Sequence, residues 1–361
     1  MQAFKELINS LTQPTLFTLI SVIAFAIYFW KYQAFKGKSW IIGSALALTI
    51  FLGIGMADPN AVLVITKPDN IPIVIMLYLT LFFTWLPMSK AARNDNRLAA
   101  GDVPFEATES DKKVFCWPDL VFNEFICGLL IMAFLVFWGV AFEAPLEEFA
   151  SSTNAPNPAK APWYFLGLQE MLVYFDPWLA GVVLPGLIVV GLIAIPYIDI
   201  NPKGNGYYCF KDRKFAILSF QFGWLILWIL LIILGTFLRG PNWNFFGPFE
   251  YWDTHKLEAL VNINLSEIFW MKFMNTSMPK NIFVREWLGF VVIGGYFTVV
   301  PFLLTRGIRM FREFNEKLGT ARYAVLMMLV LFMASLPLKM VLRWTLNLKY
   351  IIAIPEFFFN I

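Results

Sequence analysis

Histidine is almost missing from this sequence: His255 is the single one in 361 residues. A bis-histidine haem takes two imidazoles and a histidine zinc site takes more than one. This chain alone therefore holds neither the usual pair of transmembrane b-type haems nor a His-ligated metal centre, and His255 reads as a surface side chain. Cysteine is scarce too. Cys116, Cys127 and Cys209 show no paired spacing and no Cys-x-x-Cys-His haem-attachment pattern, so they read as reduced, buried and inert. Charge is thin, at 15% of residues against roughly 25% in a soluble domain. The net charge of +3 is too small to suggest a nucleic-acid partner. No glycine-rich phosphate loop occurs, Lys203–Gly206 reading as a turn. No Ser–His–Asp arrangement is credible either. Most soluble enzyme classes are excluded.

What is abundant is apolar. Hydrophobic residues make up 59% and aromatics 18%, with a mean hydropathy of +0.65. A helix crosses the hydrocarbon core with about 20 apolar residues. Runs near that length lie at Leu16–Phe29, Trp40–Met56, Ile71–Met88, Leu120–Phe142, Trp178–Ile198, Phe215–Leu238, Trp287–Leu304 and Ala321–Val341. The expected fold is all-α, a polytopic transmembrane protein of about eight helices. The first run starts near Pro14 without a convincing small-residue cleavage site and reads as a retained anchor.

Alternate loops carry the basic residues: Lys31, Lys36 and Lys38; Lys90, Arg93, Arg97, Lys112 and Lys113; Lys203, Lys211, Arg213 and Lys214; Arg306, Arg309, Arg312, Lys317 and Arg322. These are the expected cytoplasmic loops. The others hold Asp58, Asp69, Glu143, Glu147, Glu148 and Asp176, so both termini fall on the non-cytoplasmic side of what reads as a bacterial inner membrane. The chain divides into a three-helix extension (residues 1–90), a polar cytoplasmic linker (91–118), a central unit (119–306) and a last helix with its tail (307–361). Arg239–Asp253, RGPNWNFFGPFEYWD, has too many rings and prolines for a flexible linker and should be an ordered cap on the outer face.

One outer loop carries the candidate chemistry, NPAKAPWYFLGLQE from Asn157 to Glu170. Pro162 suits the first position of a helix, and Trp163, Tyr164 and Phe165 are rings of the kind that settle at a membrane boundary. Glu170 lies in an apolar segment. Desolvation there would raise its pKa and make it a proton acceptor for a bound hydroxyl; the other reading is a carboxylate that snorkels to water or caps a neighbouring helix. Asp176, before Pro177, reads as the cap of the next helix. Asp119, Asn123 and Glu124 read as a second polar pocket or as interfacial groups. Lys339 and Arg343 should snorkel.

From about Phe115 to Leu304 the chain resembles the C-terminal half of cytochrome b, and equally subunit IV of the photosynthetic b–f complex. The marks are FCWPDLVF, APLEEFA, NPAKAPWYFLGLQE, LPGLIVVGLIAIPYID and GTFLRGPNWN. The resemblance implies a subunit of a quinol:cytochrome c oxidoreductase, with Pro162, Trp163, Tyr164 and Phe165 in one wall of the quinol oxidation site. It implies partners as well: a haem-b-bearing subunit like the N-terminal half of cytochrome b, a Rieske iron–sulfur protein and a c-type cytochrome, in a dimeric complex embedded in lipid. Menaquinol is a compatible substrate. Trp163 and Tyr164 match the end of the family's Pro-Glu-Trp-Tyr pattern, while Ala161 and Pro162 stand where its proline and glutamate would be. That glutamate is the family's usual proton acceptor, so Glu170 or a partner's carboxylate would take the role. The three leading helices and the tail LKYIIAIPEFFFNI have no counterpart in a minimal subunit IV and are expected to dock further subunits or fill lipid-facing gaps. Two other classes compete: a scaffold that has lost the quinol chemistry, and a transporter. Nearly charge-free, non-repeating spans argue against the transporter.

Overall fold

Lipid offers no hydrogen bonds, so an apolar run can only cross it with its backbone paired internally. The computed structural model describes residues 2–108, 114–142, 149–201, 207–258 and 260–361. Among these, seven helices are long and apolar enough to cross a membrane: Lys38–Met56, Pro68–Ala99, Cys116–Ala141, Leu179–Ile198, Phe210–Leu238, Trp287–Gly307 and Thr320–Leu346. An eighth is Pro14–Trp30 if joined to Gln2–Leu11, the two meeting at 76°. The bend has a local cause: Gln13, before Pro14, is extended at ψ 138°, as the proline ring demands of the residue preceding it. Among the described residues, named strands are confined to the tail, where Ala353–Ile354 pairs antiparallel with Phe359–Asn360, Ala353 opposite Asn360. The all-α, multi-span expectation holds. Lys112, Lys113, Glu143, Glu147, Glu148, the Lys203–Gly206 turn and most of APLEEFA lie outside the described residues.

The Phe210–Leu238 helix is the centre. Its Ile226, Leu230, Leu231, Leu234 and Leu238 pack with Tyr174, Phe175 and Leu179 on one side and with Leu336 and Met340 of the last span. Where Leu166–Met171 lies across it, both chains use small residues. A Cβ on Gly235 would meet the Leu166 carbonyl at 3.2 Å, and one on Gly167 would meet Ile232 at 3.5 Å. Close approach through small residues is the main way helices hold together in lipid.

Several loops expected to be basic meet at one end of the bundle. The Ser89 hydroxyl donates to the Lys36 carbonyl at 2.9 Å, Tyr32 Oη donates to Asp95 at 2.7 Å, and Phe215 packs edge-on to Phe314. At this end the Pro68–Ala99 helix runs on past residue 90. The helix continues to Ala99 because Asn94 and Asp95 are buried and satisfied, Asn94 Nδ2 donating to the Tyr208 carbonyl at 3.0 Å. Polar residues that look like linker are interior hydrogen-bonding groups.

The other end gathers the Asn157–Glu170 loop, the Arg239–Asp253 cap, the Gln2–Leu11 helix and the tail. The cap is ordered, as expected. Phe246 and Phe249 are buried, and the Phe249 N–H donates to Asn9 Oδ1 at 3.0 Å. Lys5 reaches Asp58 at 2.5 Å, and Phe4 packs against Phe249 at 6.3 Å. The amino-terminal helix and the tail therefore pack on their own chain. Glu286, buried, accepts the Ala353 N–H at 3.1 Å, and Arg285 forks onto Glu356 with two bonds of 2.8 Å.

Three further expectations are corrected. Asp176 does not cap with its side chain; Oδ1 accepts from the Tyr350 hydroxyl at 3.0 Å, tying the tail down. Lys339 does not snorkel: it is 2% exposed, and its Nζ has no hydrogen-bond partner among the described residues. Of the cysteines only Cys209 is buried; Cys116 and Cys127 are exposed.

Candidate functional site

The loop reaches the site through a series of small clasps. Asn157 and Asn242 pair reciprocally, Asn157 Nδ2 donating to Asn242 Oδ1 at 3.0 Å and Asn242 N–H to Asn157 Oδ1 at 2.6 Å. Gln169 folds back over the turn. Its Oε1 accepts the Ala161 N–H and its Nε2 donates to the Ala159 carbonyl, both at 2.8 Å. Pro162 stands at the N-cap of a 3-10 turn over Trp163–Phe165, extended at ψ 146°, one position ahead of the first helical place expected for it.

That turn sorts the three rings. Trp163 faces inward, against the cluster of Ile73, Leu166 and Ile232. Tyr164 and Phe165 face outward at 47% and 49% exposure, with their rings 4.7 Å apart. The result is a clasped turn with a half-buried tryptophan anchor and two presented aromatic faces. Such a surface suits a flat apolar ring better than a polar solute.

Glu170 lies one turn further and changes the sequence reading. It is fully buried, but not alone. Arg239 Nη2 donates to its Oε1 at 2.8 Å and Nε to its Oε2 at 3.0 Å, and Tyr174 Oη donates to Oε1 at 3.2 Å. The guanidinium also donates to the Trp243 carbonyl at 2.7 Å and lies 3.6 Å from the Phe245 ring centroid. A two-point pair of this kind is the strong form of charge-assisted bond. Both oxygens of the Glu170 carboxylate are thus engaged by Arg239. Burial, and then the Glu170 charge, push the Tyr174 hydroxyl well above its ordinary range, so it stays a donor.

Lys160 is the group the sequence reading passed over. Its Nζ donates to the Thr236 carbonyl at 2.8 Å, one of the carbonyls left unpaired at a helix end. It also sits 4.9 Å from the Trp252 ring centroid. Burial first, then repulsion from Lys67, pull the ammonium down to about 7, with Glu170 opposing and Arg239 adding to the fall. The hydroxyl of the same Thr236 is buried without a partner among the described residues. Arg239 could have been flagged from sequence as a lone arginine closing a long apolar run; Lys160 stood inside the motif.

Of the remaining candidates, Asp119, Asn123 and Glu124 are exposed on the Cys116–Ala141 helix, where Asp119, Asn123, Pro118 and Phe122 line a shallow cleft. They do not join the loop site. His255 is exposed, its backbone N–H bound to Asp253. A larger apolar cavity of about 450 Å³ lies between the leading helices and the Phe210–Leu238 helix, beside Phe25, Trp85 and Ile229.

Comparison with known proteins gives a partial likeness. The chain is 29% identical over 92 residues to the menaquinol:cytochrome c reductase cytochrome c subunit of Geobacillus thermodenitrificans, covering 24% of this chain and 37% of that protein. It is 27% identical over 90 residues to the subunit of the same name from Bacillus subtilis, covering 23% of this chain and 34% of that one. The match thus spans about a third of the length of these curated relatives. No family model matches the chain, and no solved structure does. The protein is a multi-pass membrane protein by span count, similar over about a quarter of its length to subunits of an oxidoreductase complex.

Proposed function

We propose that this chain is a membrane subunit of a menaquinol:cytochrome c reductase type of complex. Pro162, Trp163, Tyr164 and Phe165 form one wall of a quinol oxidation site on the outer side of a bacterial inner membrane. The observation that carries the reading is the clasped 3-10 turn, which packs a half-buried Trp163 against Leu166 and Ile232 and presents Tyr164 and Phe165 as an aromatic rim. The likeness to menaquinol:cytochrome c reductase subunits supports the substrate class. The resemblance of residues 115–304 to the C-terminal half of cytochrome b supports the site's place in such a complex.

In this reading the chain supplies no redox centre. Electrons pass from quinol to a haem-b-bearing subunit and a Rieske protein, and on to a c-type cytochrome, in a dimeric assembly. This chain's residues hold the quinol ring and keep the site dry. Glu170, given above as the candidate proton acceptor, becomes an anchor: paired with Arg239, it fixes the short helix that carries the loop against the Leu234–Leu238 turn.

The test is isolation of the complex through a tag on this chain, followed by inhibitor-sensitive reduction of cytochrome c by a menaquinol analogue. Wild type should be active with a b-type haem signal, and Tyr164→Ala should lower kcat/KM by at least about tenfold, the loss of roughly 1.4 kcal/mol of stacking on the ring. Haem with unchanged activity in Tyr164→Ala would instead support a scaffold. Absence of both haem and quinol oxidation would sink the reading.

A further inference from the structure

We propose that the apolar cavity beside the leading helices seats one anionic phospholipid, with an acyl chain inside it and the phosphate on Lys36 and Lys38. The site owes nothing to the Tyr164–Phe165 turn and does not depend on the quinol reading.

Size limits the occupant first. The cavity holds about 450 Å³ between the Pro14–Trp30, Lys38–Met56 and Pro68–Ala99 helices and the Phe210–Leu238 helix. A single turn of a helix 10–12 Å across fills about 400–600 Å³, so a partner's membrane span does not fit. A thin flexible chain does, and walls such as Phe25 and Ile229 suit a hydrocarbon one. Trp40, at its edge, is exposed.

Charge then selects the headgroup. Tyr28 stacks on Phe35 with ring centroids 5.4 Å apart and planes at 10°, and Phe35 lies 4.3 Å from Trp40. All three rings line the cavity, and Lys36 and Lys38 stand in the short segment joining Phe35 to Trp40. Neither lysine forms an ion pair among the described residues. Lys36 Nζ donates to the neutral Gln33 Oε1 at 3.4 Å, and Lys38 is exposed. No Asp or Glu occurs from Lys31 to Met56, and Asp95, at the same end of the bundle, is buried against the Tyr32 hydroxyl. Unmatched positive charge beside an apolar slot at the end of a span complements a negative headgroup on a hydrocarbon tail.

Donors for the ester groups are present too. Thr49, Thr298, Thr305 and Thr345 each return their hydroxyl to the carbonyl four residues back, a common resort inside a helix. Ser44, one turn along from Trp40, and Thr84 line the cavity and make no hydrogen bond among the described residues. Their hydroxyls are free to donate to ester carbonyls, which only accept.

The experiment takes the full chain in mild detergent, strips it of lipid and titrates it with phosphatidylglycerol or zwitterionic phosphatidylcholine, counting bound lipid by native mass spectrometry. Wild type should bind one phosphatidylglycerol, and phosphatidylcholine about 30-fold more weakly, from about fivefold per basic residue taken twice. The double variant Lys36→Gln, Lys38→Gln should bind both lipids at the weaker level. Ser44→Phe, which fills the slot and keeps both lysines, should lose both. Equal affinity of wild type for the two lipids overturns the proposal, and so does wild-type binding by either variant. A quinone or a polypeptide found in the slot to the exclusion of phosphatidylglycerol overturns it as well. If Ser44→Phe does not fold, wild type labelled with a phosphatidylglycerol carrying a photoreactive acyl chain decides. Label on residues 35–44 or 80–85 supports the proposal, and label only elsewhere overturns it.

Discussion

Two stretches of similar hydropathy behave in opposite ways. The Phe210–Leu238 helix is the most enclosed span, and Cys116–Ala141 has no buried residue in its apolar window. Hydrophobicity cannot be the cause, because in lipid an apolar face gains nothing by leaving the hydrocarbon. What differs is specific contact. The first helix has Gly235 under the Leu166 backbone and ends on Arg239, bound at two points to Glu170. The second has Gly128 and Gly139 with nothing within 4 Å, and its polar residues Asp119, Asn123 and Glu124 are exposed. Packing around this helix follows small residues and the buried Arg239–Glu170 pair, and those same features hold the loop that carries the candidate site.

The largest break in this contrast should come from Arg239. Replacing one partner of a buried pair leaves an uncompensated charge and costs about 3–5 kcal/mol. Arg239→Met should therefore lower the thermal midpoint of the purified protein sharply, and Glu170→Leu combined with Arg239→Met should recover much of the loss. A double variant as unstable as the single would show that the pair is not the anchor.

Next comes the glycine comparison. Gly235→Val forces a side chain against the Leu166 carbonyl and should cost about 1–3 kcal/mol. Gly128→Val, on the bare helix, should stay within about 0.5 kcal/mol. Equal midpoints in the two variants would erase the distinction between the helices.

A smaller effect is expected at Lys339, the enclosed amine without a hydrogen-bond partner among the described residues. Lys339→Met removes a buried polar group that lacks one and should stabilise by on the order of 1 kcal/mol, read as a higher midpoint. A lower one would reveal a partner that matters.

The smallest effect lies in the tail. Arg285 holds the exposed Glu356 carboxyl down at about 2. A carboxyl depressed by folding adds stability that is complete above its ordinary value of about 4.3 and is lost as pH falls through its folded one. Protease resistance of the tail should thus be flat down to about pH 4.3 and weaken only toward 2. Glu356→Gln should loosen the tail at neutral pH and abolish the acid dependence.

Span positions were readable because about 20 consecutive apolar residues mean the same thing wherever they occur. The loop's turn was readable too, since Pro162 and the three rings act locally. The partner of Glu170 was not, because Arg239 is 69 residues away and no local period relates them. The same holds for Asp176, whose side chain serves Tyr350 across 174 residues. Asn94 and Asp95 misled in the other direction: polar residues after an apolar run look like a linker until Tyr32 and Tyr208 are seen to close over them. Lys160 looked like one more loop lysine because burial and the nearness of Lys67 and Arg239 are tertiary facts.

The most direct test of the central claim is photolabelling of the tagged complex with an azido-menaquinone analogue, mapped by peptide mass. The account predicts label on Tyr164 or Phe165, suppressed by unlabelled menaquinone. Label confined to other parts of the chain, such as the Cys116–Ala141 helix, with none on the Pro162–Gln169 peptide, would contradict it.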